Sequence, residues 1–187
     1  MSARRRLRTR PLWRTILDGL AVTGTLLLAL TLMELMPGGN IAGNMRVVDG
    51  DSLRPMDNDG HDIRLDGIDA PELTQHCNDA NGSSYRCGQQ AKAHLEALIA
   101  GRDVTCRTMD VDRYQRSVSV CEAADINLNR EMVTDGWAIS YRTGEFADEE
   151  RIAKSGRKGI WQGSFERPQD WRRLNRSAAS GRAPEAD

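Results

Sequence analysis

The sequence has no excess of basic residues, no pair of cysteines at CxxC spacing, no grouped histidines and no internal repeat. Lys and Arg number 26 against 27 Asp and Glu, a net charge of −1, so the chain cannot hold a polyanion by its overall field as a non-specific nucleic-acid binder does. His61, His76 and His94 are scattered and read as solvated bystanders. A zinc site, which needs closely grouped Cys or His ligands, is therefore the weaker reading. What 187 residues do allow is one domain with a real core, plus appendages.

The first appendage is N-terminal. Arg4, Arg5, Arg6, Arg8, Arg10 and Arg14 precede an apolar run from Ile16 to Met36 that only Asp18 and Glu34 interrupt, near its ends. As a helix this run spans roughly 30 Å, the thickness of a bilayer core. The reading is a basic cytoplasmic flank over 1–15 and a transmembrane helix over 16–36, with the arginines held inside. The uncharged centre, Gly19 to Met33, also has the length of a signal-peptide core, but "PGGNIAGN" at 37–44 offers no good small-x-small cleavage site. The expectation is an uncleaved single-pass anchor with the rest outside the cytoplasm, in the periplasm or at the cell exterior, and secretion if the segment is cleaved. The arginine cluster is assigned to topology, not to binding. Without residues 1–36 the chain keeps 20 basic and 25 acidic residues, so any phosphate chemistry needs a local cation.

All four cysteines, Cys77, Cys87, Cys106 and Cys121, lie in the part placed outside the cytoplasm, where an even count predicts two disulfides. In "VTCRTMDVDRYQRSVSVCE", pairing Cys106 with Cys121 also pairs Thr108 with Ser119 and Val111 with Arg116, leaving Asp112 to Gln115 as a four-residue hairpin loop. The predicted bridges are thus Cys106–Cys121 and, from the remaining pair, Cys77–Cys87.

After a Gly-rich linker over 37–44, "MRVVDGDSLRPM" and "HDIRLDGI" read as two strands around the turn signal "DNDG". Ala91, Leu95, Leu98 and Ile99 mark one face of a helix from Cys87 that stops at Gly101. Ile126, Leu128, Met132 and Val133 supply another helical face ended by Gly136, and "FADEERIAKSGRKG" a third short helix. Trp137 and Trp161 are expected in the core. Some five short strands with interleaved helices favour a small mixed barrel over a parallel sheet. The tail from Asn175 is expected to be disordered.

"RLDGIDAPE", residues 64–72, gathers Arg64, Asp66, Asp69 and Glu72, and "VDGDS", residues 48–52, adds Asp51. On adjacent strands Asp51 and Asp69 can converge, and two hard carboxylates with waters and backbone carbonyls make a ligand set for calcium. Arg64 and Arg116 bring guanidinium groups that hold phosphate through paired hydrogen bonds, and Glu72 can activate a water. Asp66 reads as a turn or surface charge.

The strings "VVDGDSL", "IRLDGIDAPE", "DRYQRSVSV", "LNREMVTDGWA" and "GIW", in this order over residues 45 to 162, resemble the staphylococcal nuclease (thermonuclease) family. The resemblance implies a five-stranded OB-fold barrel with helices over 45–174, with 175–187 left as the tail. It also implies a calcium-dependent nuclease acting on DNA, RNA or both and leaving 3′-phosphate ends. Asp51, Asp69 and the carbonyl of Ala70 resemble the calcium ligands, Arg64 and Arg116 the phosphate-binding arginines, and Glu72 the general base. The family's hairpin has Tyr-Gly-Arg where this chain has Tyr114, Gln115 and Arg116, an exchange that matters if the position takes positive φ. "FERPQDWRR", residues 165–173, resembles the C-terminal segment of some secreted members; Trp171, Arg172 and Arg173 offer a nucleic-acid contact, but packing on the barrel is the expected role. The competing reading is a non-catalytic OB-type module of the envelope that binds nucleic acid or protein. No obligate protein partner is expected, and the chain is expected to be a monomer.

Overall fold

A computed structural model describes residues 39–57 and 61–179. The basic flank and the expected membrane span lie outside the described residues, as do residues 180–187. Among the described residues no helix is long and apolar enough to cross a membrane.

Strands β2 (Met45–Asp49), β3 (Ser52–Pro55), β4 (Ile63–Leu65), β8 (Val104–Val111) and β9 (Ser117–Ala123) form one curled sheet. Short strands extend it: β1 (Asn40–Gly43) pairs with β8 and β10 (Ile126–Asn127) with β9. The order is β1-β8-β9-β4-β3-β2, and the β4–β9 pair is parallel, whereas its neighbours in the sheet are antiparallel. Two-stranded pieces stand apart: β5 (Ile68–Asp69) with β11 (Ile139–Ser140), and β6 (Cys77–Asn78) with β7 (Ser84–Tyr85). The helices are α1 (Cys87–Ile99), α2 (Leu128–Thr134), α3 (Ala147–Ser155) and α4 (Pro168–Ala179). This is the α+β, OB-type arrangement of strands and helices that the resemblance implied.

The core follows the periodicities. Val47, Leu53, Ile63, Leu65, Val104 and Ala123 are buried on the sheet, and Ala91 and Leu95 of α1 and Leu128, Met132 and Val133 of α2 close over them. Trp137 is partly buried against both this core and a smaller cluster around the Cys77–Cys87 bridge, and Trp161 against the smaller cluster alone. Asn129 ties the layers together from a fully buried position. Its Nδ2 donates to the carbonyls of Asp66 (2.9 Å) and Ser119 (3.1 Å), and its Oδ1 accepts from the Cys121 amide at 3.0 Å.

Both disulfides are present, Cys77–Cys87 and Cys106–Cys121. The hairpin register holds for two of the three predicted pairs, Cys106 opposite Cys121 and Thr108 opposite Ser119, but not for Val111 with Arg116. It then shifts by one, because a bulge at Met109 puts Asp110 opposite Val118 and Val111 opposite Ser117. Asp112 therefore faces Arg116, donating to its carbonyl at 3.0 Å, and the turn tightens to Arg113, Tyr114 and Gln115.

Other boundaries also move. "MRVVDGDSLRPM" is itself a hairpin, β2 to β3, turning at Gly50, and β3 then pairs with β4. Asn40–Gly43, expected in the linker, gains ladder hydrogen bonds as an edge strand on β8. Ile126 joins β10 because Asn127 caps α2, its side chain accepting from the Arg130 amide. Helix α4 continues to Ala179, past the expected start of the disordered tail at Asn175.

Candidate active site

Register brings the acidic residues together. Ser52 pairs with Arg64 across β3 and β4, which sets the preceding residue, Asp51, beside the Arg64 side chain. Asp69 sits on β5, held opposite Ile139 of β11. Arg64 then joins the two aspartates, with Nη1 donating to Asp51 Oδ1 at 2.6 Å and Nη2 to Asp69 Oδ1 at 2.9 Å. Asp51 Oδ2 accepts from the Ala70 amide at 2.8 Å. The close approach depends on Gly50, where a Cβ would lie 2.7 Å from that of Ala70 and 2.9 Å from that of Ala91. Asp51 is 3% exposed and Asp69 fully buried, so the pair is a desolvated site and not a surface charge cluster. Asp66 accepts from the Gly67 amide at 2.8 Å and has the expected turn role.

Glu72 follows on the segment between β5 and β6. The buried Gln75 orders that segment: its Oε1 accepts from the Glu72 amide at 3.2 Å, and its Nε2 donates to the Glu166 carbonyl at 2.7 Å. Helix α1 presses on the same segment, since a Cβ at Gly88 would fall 1.8 Å from the Glu72 carbonyl oxygen. The Glu72 carboxylate meets Arg172 of α4, whose Nη1 donates to Oε1 at 2.7 Å. Arg172 also grips both oxygens of Asp69, Nη1 to Oδ1 and Nη2 to Oδ2, each at 3.0 Å. Sequence reasoning missed Gln75 and missed the place of Arg172 among the carboxylates. The only local signal for Arg172 was its place in "FERPQDWRR", and contacts across a hundred positions leave no periodicity to read.

Arg116 is not brought to the carboxylates. Its guanidinium pairs with Asp112 at 2.8 Å and lies 5.6 Å from the centre of the Tyr114 ring, at the hairpin tip. Gln115 has φ of +63°, so the position does require the left-handed conformation that glycine takes without strain. Tyr141 donates its amide to the Gly67 carbonyl at 2.8 Å, beside the turn that leads into Asp69.

Burial pushes the Asp51 carboxyl up to about 8, with Asp49 and Asp69 adding to the rise and Arg64 opposing it. Arg172 moves the other way: partial burial works against its charge, but hydrogen bonds to Asp69 and Glu72 raise its pKa above that of a free guanidinium. Three carboxylates, Asp51, Asp69 and Glu72, thus face two arginines, Arg64 and Arg172, and a divalent cation would supply the missing positive charge. Among the described residues no three Asp, Glu, His or Cys side chains form a ready cage. Asp51 and Asp69 would hold the cation together with backbone carbonyl and water oxygens, a mixture that suits calcium. The residues fit a hard divalent cation on this chemistry of charge and donors.

A curled sheet of OB type, with two aspartates and an arginine at the mouth of its first strands, is the frame of a nuclease-like family. The family model described as "Staphylococcal nuclease homologue" matches residues 62–163, more than half the chain, and the protein belongs to that family. Among curated relatives, the succinoglycan biosynthesis protein ExoI of Rhizobium meliloti (strain 1021) is 36% identical over 127 residues, 65% of this chain and 65% of that protein. The probable staphylococcal-like nuclease CAN3 of Oryza sativa subsp. japonica is 34% identical over 121 residues, 62% of this chain and 29% of that one. The probable endonuclease LCL3 of Schizophyllum commune (strain H4-8 / FGSC 9210) is 32% identical over 144 residues, covering 65% and 48%. The chain spans less than two thirds of the length of each of these relatives.

Proposed function

We propose that this protein is a calcium-dependent nuclease that hydrolyses phosphodiester bonds of DNA, RNA or both. The observation that carries the reading is the convergence of the buried Asp51 and Asp69 on Arg64, with Glu72 joined to Asp69 through Arg172, so that three carboxylates share two arginines. Relatives named as nucleases and endonucleases support it.

In this reading Asp51, Asp69 and the Ala70 carbonyl hold the cation. When bound, calcium supplies positive charge for the phosphate oxygens that gain charge during the reaction. Arg64 donates to a non-bridging phosphate oxygen, and Arg116 joins it after exchanging Asp112 for the substrate. Glu72 orients a water and takes its proton at a carboxylate oxygen. The hydroxyl adds to phosphorus, the bond to the 5′ oxygen breaks, and that oxygen takes up a proton, leaving a 3′ phosphate.

The same proposal places the domain outside the cytoplasm, anchored by residues 16–36, as a monomer. Two disulfides support an oxidising compartment.

The deciding experiment incubates oxidised protein with single-stranded DNA, duplex DNA and RNA in calcium, magnesium or chelator, and analyses the end groups. Calcium-dependent cleavage with 3′-phosphate ends is expected. Folded protein that binds nucleic acid without cutting it would replace this reading with a binding module.

A further inference from the structure

Arg172 reaches the carboxylates from α4, sharing Asp69 Oδ1 with Arg64 and taking Oδ2, which Arg64 does not contact. Asp69 is fully buried, and its oxygens are engaged by both arginines. The paired Nη–Oδ hydrogen bonds are the fork geometry in which a guanidinium binds a carboxylate most strongly. A cation that takes Asp69 as a ligand competes for the same lone pairs. Helix α4 is suited to give way, because Pro168 is its only buried residue among the side chains described.

We propose that Arg172 is a further positioning residue of the active centre, whose guanidinium holds Asp69 and Glu72 in place before a divalent cation binds and yields Asp69 when it does. The inference rests on the reading of Asp51 and Asp69 as metal ligands. Asp69 is fully buried and Glu72 is partly exposed, and one tethered guanidinium bonded to both keeps these like charges assembled. The consequence is linkage: the docked arginine lowers the apparent metal affinity by the factor by which docking is favoured. Glu72 remains within reach of the same guanidinium through Nη1, so releasing Asp69 does not require the helix to leave.

The test is calorimetric titration of calcium into the purified full-length chain, without nucleic acid, for the wild type, Arg172→Gln and Arg172→Lys. Thermal unfolding in chelator and in calcium accompanies it. Arg172→Gln is expected to bind calcium roughly tenfold tighter, the scale of one charge-assisted hydrogen bond. Arg172→Lys, which keeps the charge without the fork, should fall between. In chelator the Gln variant should melt below the wild type, with calcium narrowing the gap. Calcium binding by the wild type with equal or weaker affinity in folded variants overturns the proposal and leaves the metal site standing. Absence of calcium binding by every folded variant removes both. If Arg172→Gln does not fold, the Lys variant decides by the same comparison with the wild type.

Discussion

At the scale of single residues the site is governed by burial. Asp51 titrates near 8 in the fold against an ordinary 3.8. Between those values an unfolded chain releases a proton that the folded chain keeps, so without added metal the fold loses stability as pH rises from about 4 to about 8 and then levels off. Asp51→Asn preserves the shape and removes the titration. Urea unfolding in chelator at about pH 5, 7 and 9 should show the wild type weakening with pH and the Asn variant weakening less. Parallel curves would mean that the carboxyl is not held as buried as the structure has it. Glu72→Gln should retain stability and lose cleavage by roughly a hundredfold or more, the usual contribution of a general base, and full activity would remove Glu72 from that role. The residue types of Asp51, Arg64, Asp69 and Glu72 were readable from their strings. The cause of their unusual chemistry was not, because desolvation belongs to the fold and not to the nine-residue stretch that carries most of them.

Elements place these side chains through a few polar and backbone contacts. Asn129→Ala would leave the Cys121 amide, the Asp66 carbonyl and part of the bonding of Ser119 without the side chain that joins α2 to β9. The expected cost is about 2–3 kcal/mol, measured by urea unfolding with helix content unchanged. Gln115→Gly relieves a positive φ at the tip of the β8–β9 hairpin and should stabilise by about 0.5–1 kcal/mol, net of the extra freedom glycine gains when unfolded. No gain would place the strain elsewhere in the loop. Periodicity made α1 legible, because Ala91 and Leu95 stand one turn apart on the buried face. It did not reveal the bulge at Met109, which is exposed and breaks no hydrophobic pattern, so the predicted loop was one register out at its tip. Nor did it reveal β1, a short edge strand whose stability comes from its pairing with β8.

At the scale of the whole molecule two disulfides close separate loops. Cys106–Cys121 pins the longest hairpin, and Cys77–Cys87 ties the segment after Glu72 to the first turn of α1. Replacing Cys106 and Cys121 by Ala should cost about 3 kcal/mol in the chain-entropy model. For a domain of this size that lowers Tm by several degrees, as differential scanning calorimetry would record. Replacing Cys77 and Cys87 should lower cleavage more than it lowers Tm, because the segment it frees carries Glu72 and Gln75. A Tm loss without a loss of activity would show that Gln75 and Gly88 hold Glu72 unaided.

The order of motifs, the cysteine pairing, the helical faces and the acidic and basic residue types were determined by the sequence alone, since each depends on neighbours a few positions away or on a hairpin register. Only the tertiary structure decided that Arg172 meets Asp69 and Glu72 while Arg116 rests on Asp112. It also decided that Gln75 bridges Glu72 to the start of α4 and that burial raises the Asp51 pKa. Those outcomes depend on which groups exclude water from one another across as many as a hundred residues of chain, and the strength of a charge pair is set by that exclusion.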